Sequence, residues 1–130
     1  MNYAVAAVIE DGKENILLVR RGKDARSEVG KWENCGGGVE EGESKEEALI
    51  REVFEELGCK VKVKHVLYTD KGDEWEVDVF STELLGEPSI QDPNEISEFK
   101  WVLKSELGNE DLTTYTRRDF ERFGWISAKI

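Results

Sequence analysis

GGVEEGESKEEALIREVFEELGC, residues 37–59, is the stretch from which the rest of the chain can be read. Its second half has the marks of an amphipathic helix over 44–57. Ser44 supplies an N-cap, and Glu47 three residues on completes a capping box. Gly58 stands where a left-handed residue ends a helix, and Lys45 to Leu57 contains neither Gly nor Pro. At about 100° per residue, Leu49, Ile50, Val53, Phe54 and Leu57 gather on one side, which is expected to face the core. Glu52, Glu55 and Glu56 fall on the other side at i, i+3, i+4, so their carboxylates are expected to converge. Ala48 lies one turn earlier on that side and leaves room there. Arg51 can orient Glu55 through a charge-assisted hydrogen bond. Like charges at this spacing cost roughly 0.2–0.5 kcal/mol per pair. Two readings stay open: a solvated acidic face, or a face that holds a cation, for which hard oxygen donors suit Mg²⁺ or Mn²⁺.

Just upstream, Gly36-Gly37-Gly38 implies either unusual backbone angles or close approach of the backbone to another group; a flexible turn is the plain alternative. Glycine carbonyls can add metal ligands. Backbone N–H groups of Gly36, Gly37 and Gly38 and of the helix N-terminus can meet phosphate oxygens.

Working outward, residues 3–9 and 15–21 read as two strands joined by an Asp11-Gly12 turn. A charged loop spans 22–31. After the helix, alternation predicts strands at 60–68 and 74–80 around a turn at Gly72-Asp73. Residues 86–97 hold both prolines and read as a loop. Residues 99–103 form a further strand, and 113–123 a helix with Tyr115, Phe120 and Phe123 as candidate core residues. Strands, helix, strands, helix is the order of an α/β or α+β layered domain. A length of 130 residues suits one domain.

The formal charge is −11. That excludes a general nucleic-acid binder, which needs a basic footprint. A phosphate substrate would need cations to approach such a surface, although acidity also serves solubility alone. Cys35, Cys59 and His65 lack zinc-site spacing, so two free thiols in a reducing cytosol are expected. The apolar N-terminal run is short and is followed at once by Glu10-Asp11. It reads as a strand, not as a membrane span, and the expected location is cytoplasmic.

The 37–59 stretch resembles the Nudix box of MutT-like hydrolases: Gly, five residues, Glu, seven residues, Arg-Glu, an aliphatic, any residue, Glu-Glu, any residue, Gly, an aliphatic. Gly37, Glu43, Arg51, Glu52, Val53, Glu55, Glu56 and Gly58 match; Cys59 replaces the final aliphatic, a small hydrophobe in its place. Cys35 departs from the proline common before the Gly-Gly. The resemblance implies an α/β/α sandwich around a mixed β-sheet. It also implies Mg²⁺- or Mn²⁺-dependent hydrolysis of a nucleoside diphosphate linked to another group. By similarity, Glu55, Glu56 and the Gly37 carbonyl are metal ligands. Glu52 is a ligand or the general base, Arg51 positions a glutamate, and Glu43 braces loop and helix through Arg51. Some members place the base on a later loop, where Glu95 and Glu98 are the candidates; solvated loop acids are the alternative.

A small-molecule nucleotide is the implied partner, with no nucleic-acid polymer and no membrane; a homodimer is left open. Trp32, Tyr68, Trp75 and Trp125 can stack a base, with Trp32 nearest the box, but each also suits a core or rim. No proline between Lys60 and Gly86 marks an ADP-ribose type, and no tyrosine marks a dinucleoside-polyphosphate type. A nucleoside triphosphate pyrophosphatase is therefore the default expectation. A nucleotide-sugar or dinucleotide pyrophosphatase, a nucleotide-binding domain without hydrolysis, and an interaction protein with a solvated acidic helix are the rivals.

Overall fold

The structure, a computed structural model, describes residues 1–128. Strands β1 (Asn2–Glu10) and β2 (Asn15–Arg21) form the expected hairpin. Asp11 Oδ1 fixes the turn by accepting the N–H groups of Lys13 at 2.7 Å and Asn15 at 3.1 Å. The two strands pair only at Ile9–Leu17 and Glu10–Ile16, and then diverge. β1 continues between β4 (Cys35–Gly38), antiparallel, and β6 (Trp75–Leu84), parallel. β2 continues between β3 (Trp32–Glu33) and β7 (Ile96–Leu103), both antiparallel. β5 (Val61–Lys71) pairs with β6 and forms an outer edge of this mixed, seven-stranded sheet. On that edge Lys62, Lys64, His65 and Val66 are exposed, and the register shifts twice.

Helix α1 (Lys45–Leu57) covers one face of the sheet, packing Leu49, Val53 and Leu57 on Val5, Ala7, Leu17 and Val19. A 3-10 segment (Lys104–Asn109) and helix α2 (Thr114–Arg122) cover the other, where Phe120 and Leu107 meet Val8, Leu18 and Val79. This is the expected sandwich of helices around a mixed sheet.

Several boundaries differ from the sequence expectation. β6 runs on through the buried Ser81 and Thr82, because the Thr82 hydroxyl donates to the Val8 carbonyl at 3.0 Å and so satisfies itself inside the sheet. β7 begins at Ile96, so Glu98 lies on a strand and not in a loop. A register shift at Arg20–Arg21 breaks the alternation: Ile96 and Phe99 pack into the core beneath α1, whereas Val102 packs on the opposite face. In α1, Ile50 and Phe54 are exposed at 42% and 56%, while Ala48 is fully buried. The buried seam has turned toward Ala48, Glu52 and Glu56, because the neighbouring strand is bare glycine backbone. In α2, Phe120 is buried and Phe123 half-buried, but Tyr115 is 47% exposed and is not a core residue.

Candidate active site

The catalytic candidates depend on how α1 is anchored. Ser44 Oγ accepts the Glu47 N–H at 3.0 Å, and Glu47 Oε1 accepts the Ser44 N–H at 2.9 Å, a complete capping box. Gly58 ends the helix at φ 67°. Arg51 ties this helix to the loop before it. Its Nε and Nη2 donate to the two carboxylate oxygens of Glu43 at 2.8 and 2.9 Å, and Nη2 also donates to the Gly38 carbonyl at 2.9 Å. The fork holds Glu43 down to a pKa of about 2. Arg51 Nη1 reaches Glu52 at 2.8 Å and Glu55 at 3.3 Å. The loop-bracing contact expected of Glu43 is present.

Gly36 and Gly37 are ordinary extended strand, so their importance is closeness and not unusual angles. A Cβ on Gly36 would lie 2.2 Å from the Val5 carbonyl oxygen. A Cβ on Gly37 would lie 2.5 Å from the Glu52 carboxyl carbon. Gly38 has open space where a Cβ would be. The Glu52 carboxylate therefore rests directly over Gly37. Glu56, one turn on, lies beside the Gly36 N–H and the Cys35 thiol, which favour its ionised form, while the thiol itself reaches the Glu52 carbonyl at 4.0 Å. Burial pushes Glu56 well above the usual carboxylate range, and Glu52 and Glu33 add to the rise. Burial raises Glu52 too, against the pull of Arg51.

The three helix glutamates do not converge as a set. Glu52 and Glu56 differ by one turn and face β4; the Glu55 side chain stands on the flank, 57% exposed. Among the described residues, no three His, Cys, Asp or Glu side chains already form a metal-ready cluster. The chemistry of the pair nonetheless fits a hard divalent cation. Two half-buried carboxylates lie beside bare backbone, Glu33 adds a third negative charge within range, and Arg51 is committed to Glu43 and Glu52.

Beyond Gly36 and Gly37 the site opens into a cavity of about 320 Å³. Ala4, Val5, Ala6 and Val77 give it small apolar walls. Glu33 enters from β3 and accepts Arg21 Nη1 at 3.1 and 3.2 Å and the Tyr115 hydroxyl. Burial raises the pKa of both Glu33 and the Tyr115 phenol. Asp119, one turn after Tyr115, is raised to about 6 by burial, with Arg122 3.6 Å away opposing the rise. Asp70, also on the wall, accepts from Arg122 at 3.1 Å. Asn34 lines the cavity with neither Nδ2 nor Oδ1 hydrogen-bonded. An unmatched buried amide costs about 1–3 kcal/mol.

These wall residues were not singled out from sequence. One signal was present: Tyr115 and Asp119 share a helix face at i, i+4. Glu33 and Asn34 carried none beyond lying next to the glycines. Trp32 was expected to contact substrate, but it packs against the second core cluster with Lys100 Nζ 4.1 Å from its ring centroid, and it does not line the cavity. Glu98 is ion-paired with Arg20 at 2.7 Å, and Glu95 sits exposed on the turn before β7, its carbonyl accepting the Gly22 N–H. Neither reaches the cavity, because β7 pairs with β2, away from β4.

Comparison with known proteins gives this arrangement a context. The model of the NUDIX domain matches residues 2–123. The nucleoside triphosphatase NudI of Enterobacter sp. (strain 638) is 30% identical over 124 residues, covering 85% of this chain and 88% of that protein. The CTP pyrophosphohydrolase of Escherichia coli (strain K12) is 50% identical over 64 residues, which span 48% of this chain and only 45% of that protein. Among solved structures, a MutT NUDIX hydrolase from Burkholderia pseudomallei superposes with a TM-score of 0.80 at 29% identity, covering 92% of this chain and 95% of that one. Helix glutamates over a glycine strand, the Arg51–Glu43 brace and a match along nearly the whole chain have one common explanation: this chain belongs to the NUDIX family and is a hydrolase of that family.

Proposed function

We propose that this hydrolase cleaves a phosphoanhydride bond of a nucleoside triphosphate, in the manner of MutT-like pyrophosphatases, with Mg²⁺ or Mn²⁺ as cofactor. The observation that carries the reading is the Glu52–Glu56 pair over the Gly36-Gly37 backbone, at the mouth of a cavity suited to a planar base. Glu52, Glu56 and the Gly37 carbonyl, with Glu55 from the flank, would hold the metal. When bound, such a cation offsets phosphate charge and lowers the pKa of attached water. Arg51 acts as a positioning residue, fixing Glu52 through one fork and the loop through the other. Where Glu55, Glu56 and the Gly37 carbonyl hold the metal without it, Glu52 is instead the base candidate: it stands closest to Gly37, and burial already favours its holding a proton. The apolar walls exclude water around the base, while the triphosphate lies toward α1. The nucleoside triphosphatase and pyrophosphohydrolase activities named for the relatives support this substrate class. Two buried free thiols, Cys35 and Cys59, fit a cytoplasmic setting.

The test is a panel of nucleoside triphosphates, oxidised nucleotides, nucleotide sugars and dinucleotides with and without Mg²⁺, each run with Glu56→Gln as control. Pyrophosphate release from triphosphates, lost on chelation and in the variant, is the expected outcome. Full activity of Glu56→Gln would remove the metal assignment.

A further inference from the structure

The outward ridge of α1 carries large apolar side chains that nothing covers. Ile50 and Phe54, one turn apart, are both exposed, and Leu85, just past the end of β6, is 58% exposed. The three are neighbours: together with Glu47 and Lys60 they line one groove of about 490 Å³. The Leu85 N–H donates to the Lys60 carbonyl at 2.9 Å, which fixes that end of the groove. On a chain of net charge −11, a joined apolar surface of this kind marks a contact surface and not ordinary scatter.

Charge decides the occupant. The groove has a carboxylate at one end and an ammonium group at the other. Among the described residues, Glu47 is hydrogen-bonded only to Ser44, and Lys60 forms no ion pair. Arg51, also on the wall, is occupied by Glu43 and Glu52. Phe54 stands between the charged ends, seven residues after Glu47 and six before Lys60. A surface in that order matches itself under a half-turn about Phe54. We propose that the groove is the contact between two copies of this chain, an isologous dimer in which α1 packs antiparallel on its counterpart. The two Phe54 rings meet at the axis, Ile50 and Leu85 close over them, and each Glu47 faces Lys60 of the other copy. At about 100° per residue, Glu52 and Glu56 project from roughly the opposite side of α1, so the second copy leaves the catalytic candidates uncovered. An isologous contact consumes its own surface, so association stops at two.

Sedimentation velocity on the full chain at rising concentration tests this, because a dimer grows by mass action. Wild type is expected to shift from monomer to dimer, and Phe54→Asp to stay monomeric at every concentration. A charge exchange tests the pairing itself. Lys60→Glu and Glu47→Lys each set like charges opposite one another in their own dimers, so each alone is expected to remain monomeric. Mixed one to one, the two restore both Glu–Lys pairs between unlike copies and are expected to dimerise. Far-UV circular dichroism checks that both variants are folded, and Phe54→Asp carries the test should Glu47→Lys lose its helix cap and not fold. A wild type that stays monomeric overturns the proposal and leaves the groove to a different protein. A dimer that survives Phe54→Asp overturns it by placing the contact elsewhere. So do folded charge variants that associate no better mixed than alone.

Discussion

At the scale of single residues, the site places charge where stability would not put it. Glu56 is buried against a thiol and one N–H, beside two other carboxylates. Glu56→Gln is expected to lower kcat by about 100-fold or more while raising the melting temperature, because a buried ionisable group disappears; steady-state kinetics and calorimetry on one preparation check both. The glycines separate in the same way. Gly37→Ala pushes on the Glu52 carboxylate, so activity should fall far more than stability, whereas Gly38→Ala, with open space, should leave both near wild type. Asp119 sets a pH dependence. Its pKa rises from 3.8 to about 6 on folding, so the folded state keeps the proton longer. The stabilisation this gives is complete below about pH 4 and lost as pH rises through about 6. Asp119→Asn should therefore flatten stability across that window and gain about 1–2 kcal/mol at pH 7, allowing for solvent screening, as read by urea unfolding at several pH values.

At the scale of elements, α1 shows what the sequence made legible and what it could not. Its ends were readable because capping is local: Ser44, Glu47 and Gly58 need no partner beyond one turn. Ser44→Ala should cost about 1 kcal/mol in urea unfolding. Its facing was not fully readable. Periodicity ranks Ile50 and Phe54 with the apolar side, yet contact with a glycine strand draws Ala48, Glu52 and Glu56 inward and leaves those two large side chains out. Polar residues that are buried by function look, in a sequence, like solvated ones. The same reason hid the first residues of β7, where Glu98 occupies the strand through an ion pair with Arg20. The start of α2 falls within one residue of the sequence reading although Thr113 provides no side-chain cap: the N-terminus is capped by Glu28 from a distant loop, which accepts the N–H and hydroxyl of Thr114 at 2.9 and 2.8 Å.

For the whole molecule, the order of elements and the box of residues 37–59 were enough to name the sandwich, because the box is contiguous. The cavity is not contiguous in sequence: β1, β3, β5, β6 and α2 each contribute a wall, and only folding assembles Glu33, Asn34, Asp70 and Asp119. The outer edge, β5, bears on a different property. A long strand with unpaired backbone groups invites another chain to add to it. Here each approaching copy meets Lys62 and Lys64, and the two register shifts bend the ladder away from a straight template. Replacing both lysines by threonine should leave catalysis intact and turn a well-behaved solution into one that clouds on concentration, with light scattering as the readout. On this reading, two side chains remote from the proposed catalytic site would keep copies of the molecule apart at this edge at high concentration.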